Sequence, residues 1–192
     1  MKLQDLQYLP PTSLATSQTV FRVQRRRARP GSARVGPLKL PPADSLTSRF
    51  AVGTALVGYF AESPETAVYE SLVRREAASL SLATAASREL LCLRATRPVN
   101  LLDLRPHAPT WPFLQSLRFE ATRAVAIEAM AAGFEGIAYR SAQHYGQDCF
   151  ALFGPSLEAL ALVRRERLML DDGSMHQALY TAITGGQIPL TR

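Results

Sequence analysis

Apolar and polar positions alternate along Thr19–Gln24 (TVFRVQ), and short apolar runs occupy Val57–Ala61, Glu89–Ala95, Val99–Leu104 and Cys149–Phe153. Alternation predicts a strand covered on one face, and unbroken runs of this length predict strands inside a sheet. A period near 3.6 replaces this pattern in two places. From Pro64 to about Ala78, Val68 with Leu72 and Tyr69 with Val73 stand four residues apart. From Ser116 to Ala132, Phe119, Arg123, Ala126, Ile127 and Met130 form a stripe that Gly133 closes as a C′ glycine. Ser63 and Pro64 are a start signal for the first helix, because the hydroxyl takes an orphan N–H and proline has none to satisfy. FEGIAYRS then reads as a strand ending at Ser141, before the loop AQHYGQD. The pattern predicts an α+β fold: one compact domain of small mixed sheets packed with helices.

The flanks are less regular. Residues 1–18 form an N-terminal segment with Leu3, Leu6 and Leu9 at helical spacing and Pro10-Pro11 behind them. Arg25–Ser48 reads as one long loop, rich in arginine, proline and glycine, and residues 105–115 as another, holding the single tryptophan, Trp111. Residues 19–154 carry the predicted domain. Residues 155–192, with the apolar run SLEALALV and a short helix in MHQALYTAI, read as an extension packed on it.

At 192 residues, 47% hydrophobic and 20% charged, the chain has the composition of a globular domain with a full core. The net charge of +6 favours an anionic ligand or an acidic partner. Only Lys2 and Lys39 are lysines, and so strong an arginine bias reflects base composition as much as chemistry. The cluster at Arg25, Arg26, Arg27, Arg29 and Arg34 lacks interleaved aromatics, so a solvated basic loop or a face for an acidic partner is favoured over a nucleic-acid grip. Cys92 and Cys149 sit in apolar runs without metal or redox spacing and read as buried thiols. No apolar leader or membrane-length run occurs, which makes the cytoplasm the expected compartment.

Chemistry gathers at one strand-to-helix junction. Arg49 precedes the strand at Val57, Tyr59 lies in it, and Glu70 follows two turns into the helix, on the border of its apolar face. Periodicity alone gives Glu70 no more than a solvated helix position. His107, His144 and His176 are too scattered for a metal site, and no Gly-rich phosphate loop or dinucleotide fingerprint occurs.

Arg49-Phe50 with Gly53, YFAESPETAVYE with Tyr59 and Glu70, and EGIAYRSAQHYGQDCFALFG with Ser141 together resemble the RES family, named for its arginine, glutamate and serine. The likeness runs from about Val20 to Gly154 and includes FRV with Arg22, the LLDL strand and the TRAVA helix. Ala51 departs from it, standing where the family often has asparagine or histidine. The resemblance implies a fold similar to ADP-ribosyltransferases and cleavage of NAD+ by phosphorolysis or hydrolysis. It also implies a type II toxin paired with an Xre-like antitoxin. NAD+ enters as substrate and not as a resident cofactor, with inorganic phosphate as a candidate co-substrate. The family's functional positions fall on Arg49, Tyr59, Glu70 and Ser141.

Nicotinamide departs as a neutral molecule, so one carboxylate can serve where ordinary glycoside hydrolysis uses two. Glu70 is then expected to stabilise an oxocarbenium-like ribose, and Arg49 to hold phosphate oxygens. Tyr59 is expected to pack on nicotinamide or ribose, and Ser141 to hydrogen-bond the ribose or the nucleophile. Arg22, Tyr145 and Gln147 are further candidate substrate contacts. Transfer of ADP-ribose to a protein, and a non-enzymatic basic module, stay open as alternatives, as does the oligomeric state.

Overall fold

The computed structural model describes residues 9–191; the helical spacing of Leu3, Leu6 and Leu9 begins outside that range. One mixed eight-stranded sheet organises the chain, in the order β1-β8-β9-β10-β5-β2-β7-β11. Its strands are β1 (Pro11–Leu14), β2 (Thr19–Arg25), β5 (Val57–Ala61), β7 (Arg88–Ala95), β8 (Val99–Asp103), β9 (Gly136–Arg140), β10 (Asp148–Phe153) and β11 (Leu160–Arg167). Only β8 and β9 run parallel; every other pairing in this sheet is antiparallel. Pairs β3 (Ala33–Val35) with β4 (Leu38–Leu40), and β6 (Leu80–Ser81) with β12 (Leu190–Thr191), form two small sheets. The fold is therefore α+β, as the alternating periods predict.

Both faces of the sheet are covered, which is why its strands read as apolar runs. On one face, Leu90, Leu102 and Ile137 of the sheet pack with Val68, Val125 and Leu179 of three helices: α1 (Pro64–Ser71), α3 (Glu120–Ala131) and α4 (Gln177–Gly186). On the other, Val20, Phe60, Leu91, Leu93 and Leu101 pack with Leu38 and Leu40. A short helix, α2 (Leu82–Ala86), precedes β7. No helix among the described residues is long and apolar enough to cross a membrane.

Several predicted boundaries move. The long loop at 25–48 contains the β3–β4 hairpin, whose Gly36-Pro37 turn places Gly36 at φ +52, the conformation that this first turn position demands of glycine. Leu38 and Leu40 then close the second core. Helix α1 stops at Ser71 instead of Ala78, because the amides of Leu72 and Val73 both turn back to the Val68 carbonyl and their side chains enter the core. Helix α3 begins at Glu120, after a 3-10 turn over Pro112–Gln115, and its buried stripe is Thr122, Val125, Ala126 and Ala129. Ile127, predicted in that stripe, is exposed. Gly133 does close the helix, at φ +86.

The sheet edge strands come from the two flanks. β1 pairs with β8, and β11 pairs with β7 along its length with one bulge. α4 lies against α1 so closely that a Cβ on Gly185 would collide with Tyr69 Oη. The last helix therefore braces the one that carries Glu70.

Candidate functional site

Neighbouring strands exchange regular ladders everywhere in the main sheet except between β5 and β2, which meet at Phe21–Ala61. The sheet opens beyond that pair. Arg22 occupies the opening: its Nη1 donates to the Tyr59 carbonyl (2.9 Å) and its Nη2 to the Lys39 carbonyl (3.4 Å). Its guanidinium also lies 5.9 Å from the centre of the Phe60 ring. Burial lowers the Arg22 pKa to about 10, which still leaves it charged at neutral pH. A cavity of about 270 Å³ extends from this seam, lined by Arg22, Arg49, Tyr59, Glu70 and Arg74 among others.

Arg49 is 8% exposed and held from several directions. Nη1 donates to the Leu114 carbonyl (2.7 Å), and the guanidinium carbon lies about 6 Å from the rings of Phe119 (6.0 Å) and Tyr139 (5.9 Å). Thr122 on α3 donates its hydroxyl to the Arg49 carbonyl at 2.7 Å. No carboxylate pairs with Arg49 among the described residues. A positioned guanidinium that lacks an internal counter-ion is suited to an anionic ligand.

Tyr59 is fixed by its hydroxyl, which accepts from the Phe50 amide (2.8 Å) and donates to Ser48 Oγ (2.9 Å). Burial raises its pKa, so it stays a neutral phenol. The residue also ties the loop bearing Arg49 to β5.

Glu70 reaches the cavity because α1 begins where β5 ends. Ser63 caps the helix by accepting the Thr66 amide at 3.1 Å, with Pro64 at its first turn, as the sequence predicts. Ser141, 0% exposed at the end of β9, donates its hydroxyl to Glu70 Oε1 at 2.5 Å. Ser141 Oγ itself accepts the amides of Gln143 (3.1 Å) and His144 (2.8 Å). With both lone pairs occupied, the single hydroxyl proton is directed to the carboxylate. Glu70 Oε2 has no protein partner among the described residues. Behind it, His144 stacks on Tyr69 at 4.3 Å and shares a 2.9 Å hydrogen bond with Thr66; burial lowers its pKa and favours the neutral ring.

The structure thus gathers Arg22, Arg49, Tyr59 and Glu70 around one cavity, with Ser141 directly behind Glu70. Tyr145 and Gln147 lie outside that lining. Tyr145 is 91% exposed, and Gln147 contributes its carbonyl to the Ser141 amide (2.8 Å). The sequence reading missed Arg74, Phe119 and Gln143, which line the cavity. Arg74 stands four residues after Glu70, and that spacing is the signal that could have found it. Ala51 is buried and contributes no side-chain polar group beside Arg49.

The family model of the RES domain matches residues 19–171, so the chain belongs to the RES domain family, as its motifs imply. Among solved structures, the Mycobacterium tuberculosis MbcT–MbcA toxin–antitoxin complex contains a chain of similar fold: TM-score 0.63 at 16% identity, covering 85% of this chain and 89% of that one. No curated protein sequence matches the chain.

Proposed function

We propose that the protein cleaves the nicotinamide–ribose bond of NAD+, releasing nicotinamide and passing ADP-ribose to phosphate or water. The observation that carries this reading is the pairing, across one cavity, of a single oriented carboxylate with guanidiniums that have no internal counter-ion near it. Membership of the RES family supports it. In the scheme, Arg49 and Arg22 hold the diphosphate, or Arg49 the attacking phosphate. Glu70 binds a ribose hydroxyl and faces the positive charge that grows on the sugar as the bond lengthens. That interaction strengthens in the transition state, which is what acceleration requires. Tyr59 walls the ribose and nicotinamide. Ser141 is a positioning residue here, since its proton is committed to Glu70.

We further propose that the chain is the toxin half of a toxin–antitoxin pair with an Xre-type partner. Its family supports this, as does the likeness of its fold to a chain of the MbcT–MbcA complex.

The test is NAD+ loss by the wild type and by Glu70→Ala, with and without inorganic phosphate, products resolved by mass spectrometry. Nicotinamide release should fall about 100- to 1,000-fold in the variant, the scale of losing a principal transition-state contact. ADP-ribose 1″-phosphate against free ADP-ribose identifies the acceptor, and a labelled protein adduct would identify ADP-ribosyl transfer instead. A folded wild type, free of partner, that consumes no NAD+ under either condition would overturn the reading.

A further inference from the structure

The arginine-rich segment lines a second cavity, of about 420 Å³, between the β3–β4 hairpin and the start of β7. It shares Arg22, Val23 and Thr47 with the first cavity, so the two adjoin at the open seam of the sheet. Arg25, Arg29 and Arg88 line it, and none of them makes an ion pair among the described residues.

No carboxylate among the described residues lines the cavity, and Glu89, next to Arg88 in β7, is already committed. Glu89 takes Lys39 at 2.7 Å and the Gln24 side chain at 2.8 Å, and Arg165 stands 3.8 Å from its other oxygen. Lys39 is itself saturated by Glu89 and the carbonyls of Arg25 (3.0 Å) and Arg26 (2.8 Å). Arg88 Nε and Arg22 Nε are buried without any hydrogen-bond partner. Burial, and then the charges of Arg25 and Arg29, lower the Arg88 pKa, so these guanidiniums are gathered against their own repulsion. The two buried Nε–H groups are costly while unpaired, and the half-buried and exposed guanidiniums around them repel one another unless an anion lies among them.

We infer that this second cavity is a phosphate-binding subsite, in which Arg25, Arg29 and Arg88 hold a phosphate dianion, esterified or free, beside the cavity of Glu70. Planar guanidinium forks lining one cavity suit tetrahedral phosphate oxygens in charge and in hydrogen-bonding geometry. No aromatic side chain lines the cavity, so it offers no stacking platform for a base or a single strand of nucleic acid. Two sources share the chemistry. One is the extra phosphate of a 2′-phosphorylated dinucleotide, NADP+, bound across both cavities; that source alone rests on the dinucleotide reading above. The other is free inorganic phosphate.

The experiment compares the wild type with Arg88→Gln, with Arg29→Gln on the exposed loop, where folding is not at stake, and with Arg26→Gln as an equal charge change outside the lining. Turnover of NADP+ and NAD+ is measured, and inorganic phosphate is titrated calorimetrically. If NADP+ is the source, the wild-type kcat/KM ratio of NADP+ to NAD+ exceeds about ten, and it falls at least tenfold in the first two variants but not in Arg26→Gln. If free phosphate is the source, the ratio stays near one while phosphate Kd rises at least tenfold in the same two variants. Equal ratios and equal phosphate affinities across all four proteins, or losses as large in Arg26→Gln, overturn the subsite. Should neither dinucleotide be consumed, the catalytic reading fails, and the phosphate titration still decides the subsite.

Discussion

Strand β5 has two edges that behave differently. Toward β10 it pairs without interruption from Val57–Phe153 to Ala61–Cys149; toward β2 it pairs at Ala61–Phe21 and then parts. The first edge satisfies its amides and carbonyls within the ladder and buries Phe60, Phe150 and Leu152 beneath it. On the second, the Tyr59 carbonyl is met by the Arg22 side chain instead of a neighbouring strand. A closed ladder contributes stability and leaves no room for a ligand. An open seam gives up backbone pairs, gains a cavity, and needs side chains to satisfy the polar groups it exposes. The candidate site residues Arg22, Arg49, Tyr59 and Glu70 line the cavity that this seam opens into.

Replacements in the closed half should lower stability and spare chemistry, and replacements at the seam should do the reverse. The largest expected effect in the closed half is from Leu101→Ala. Leu101 is fully buried in β8, outside the cavity lining, and its truncation should cost about 2–5 kcal/mol by urea unfolding while leaving the KM of the proposed NAD+ cleavage unchanged at permissive temperature. A comparable loss of kcat/KM without unfolding would break the division.

Arg49→Lys is the matching change at the seam. It keeps the charge but loses the planar fork and its packing between Phe119 and Tyr139. We expect kcat/KM to fall about 100-fold, some 2.7 kcal/mol of transition-state binding, with a much smaller change in thermal midpoint than Leu101→Ala. Ser141→Ala comes next. Removing the donor to Glu70 should lower kcat about tenfold with little change in KM, and in a Glu70→Ala background it should cost almost nothing further. An additive loss in that double-mutant cycle would give Ser141 a role of its own on the substrate.

How much of this could be read in the sequence depends on how local the cause is. The strand-to-helix junction was legible because Ser63, Pro64 and the apolar run at Val57–Ala61 act within a few residues. The β3–β4 hairpin was not, since its strands are three residues each and the arginines and prolines around them mask the apolar pairs Val35–Leu38 and Ala33–Leu40. The seam was not legible either, because it depends on where β2 stops following β5, and β2 is aligned instead by its ladder with β7, from Thr19–Arg94 to Arg25–Arg88. The burial of Ser141 has the same origin: its place behind Glu70 is set by packing between segments some seventy residues apart. Arg74 stands one turn after Glu70 on the predicted longer helix; the helix in fact ends at Ser71, where Leu72 and Val73 enter the core, and Arg74 lines the cavity from beyond it.

The junction itself supplies the smallest and most discriminating of these tests. Ser63 Oγ accepts the Thr66 amide and also contacts Thr66 Oγ1, which in turn bonds His144 Nδ1. Loss of the cap by Ser63→Ala should cost about 1 kcal/mol, whereas Ser63→Gly, which keeps the backbone geometry favourable for a cap, should cost only a few tenths. If the serine serves the helix alone, the two variants differ in stability by that margin and leave kcat equal. If it also holds His144 through Thr66, both lose the hydroxyl contact and both lower kcat, however different their stabilities. Equal kcat in the two variants and in the wild type would therefore restrict Ser63 to its helix and leave the alignment of Glu70 to Ser141, while a shared deficit would extend the seam's supporting network to the start of α1.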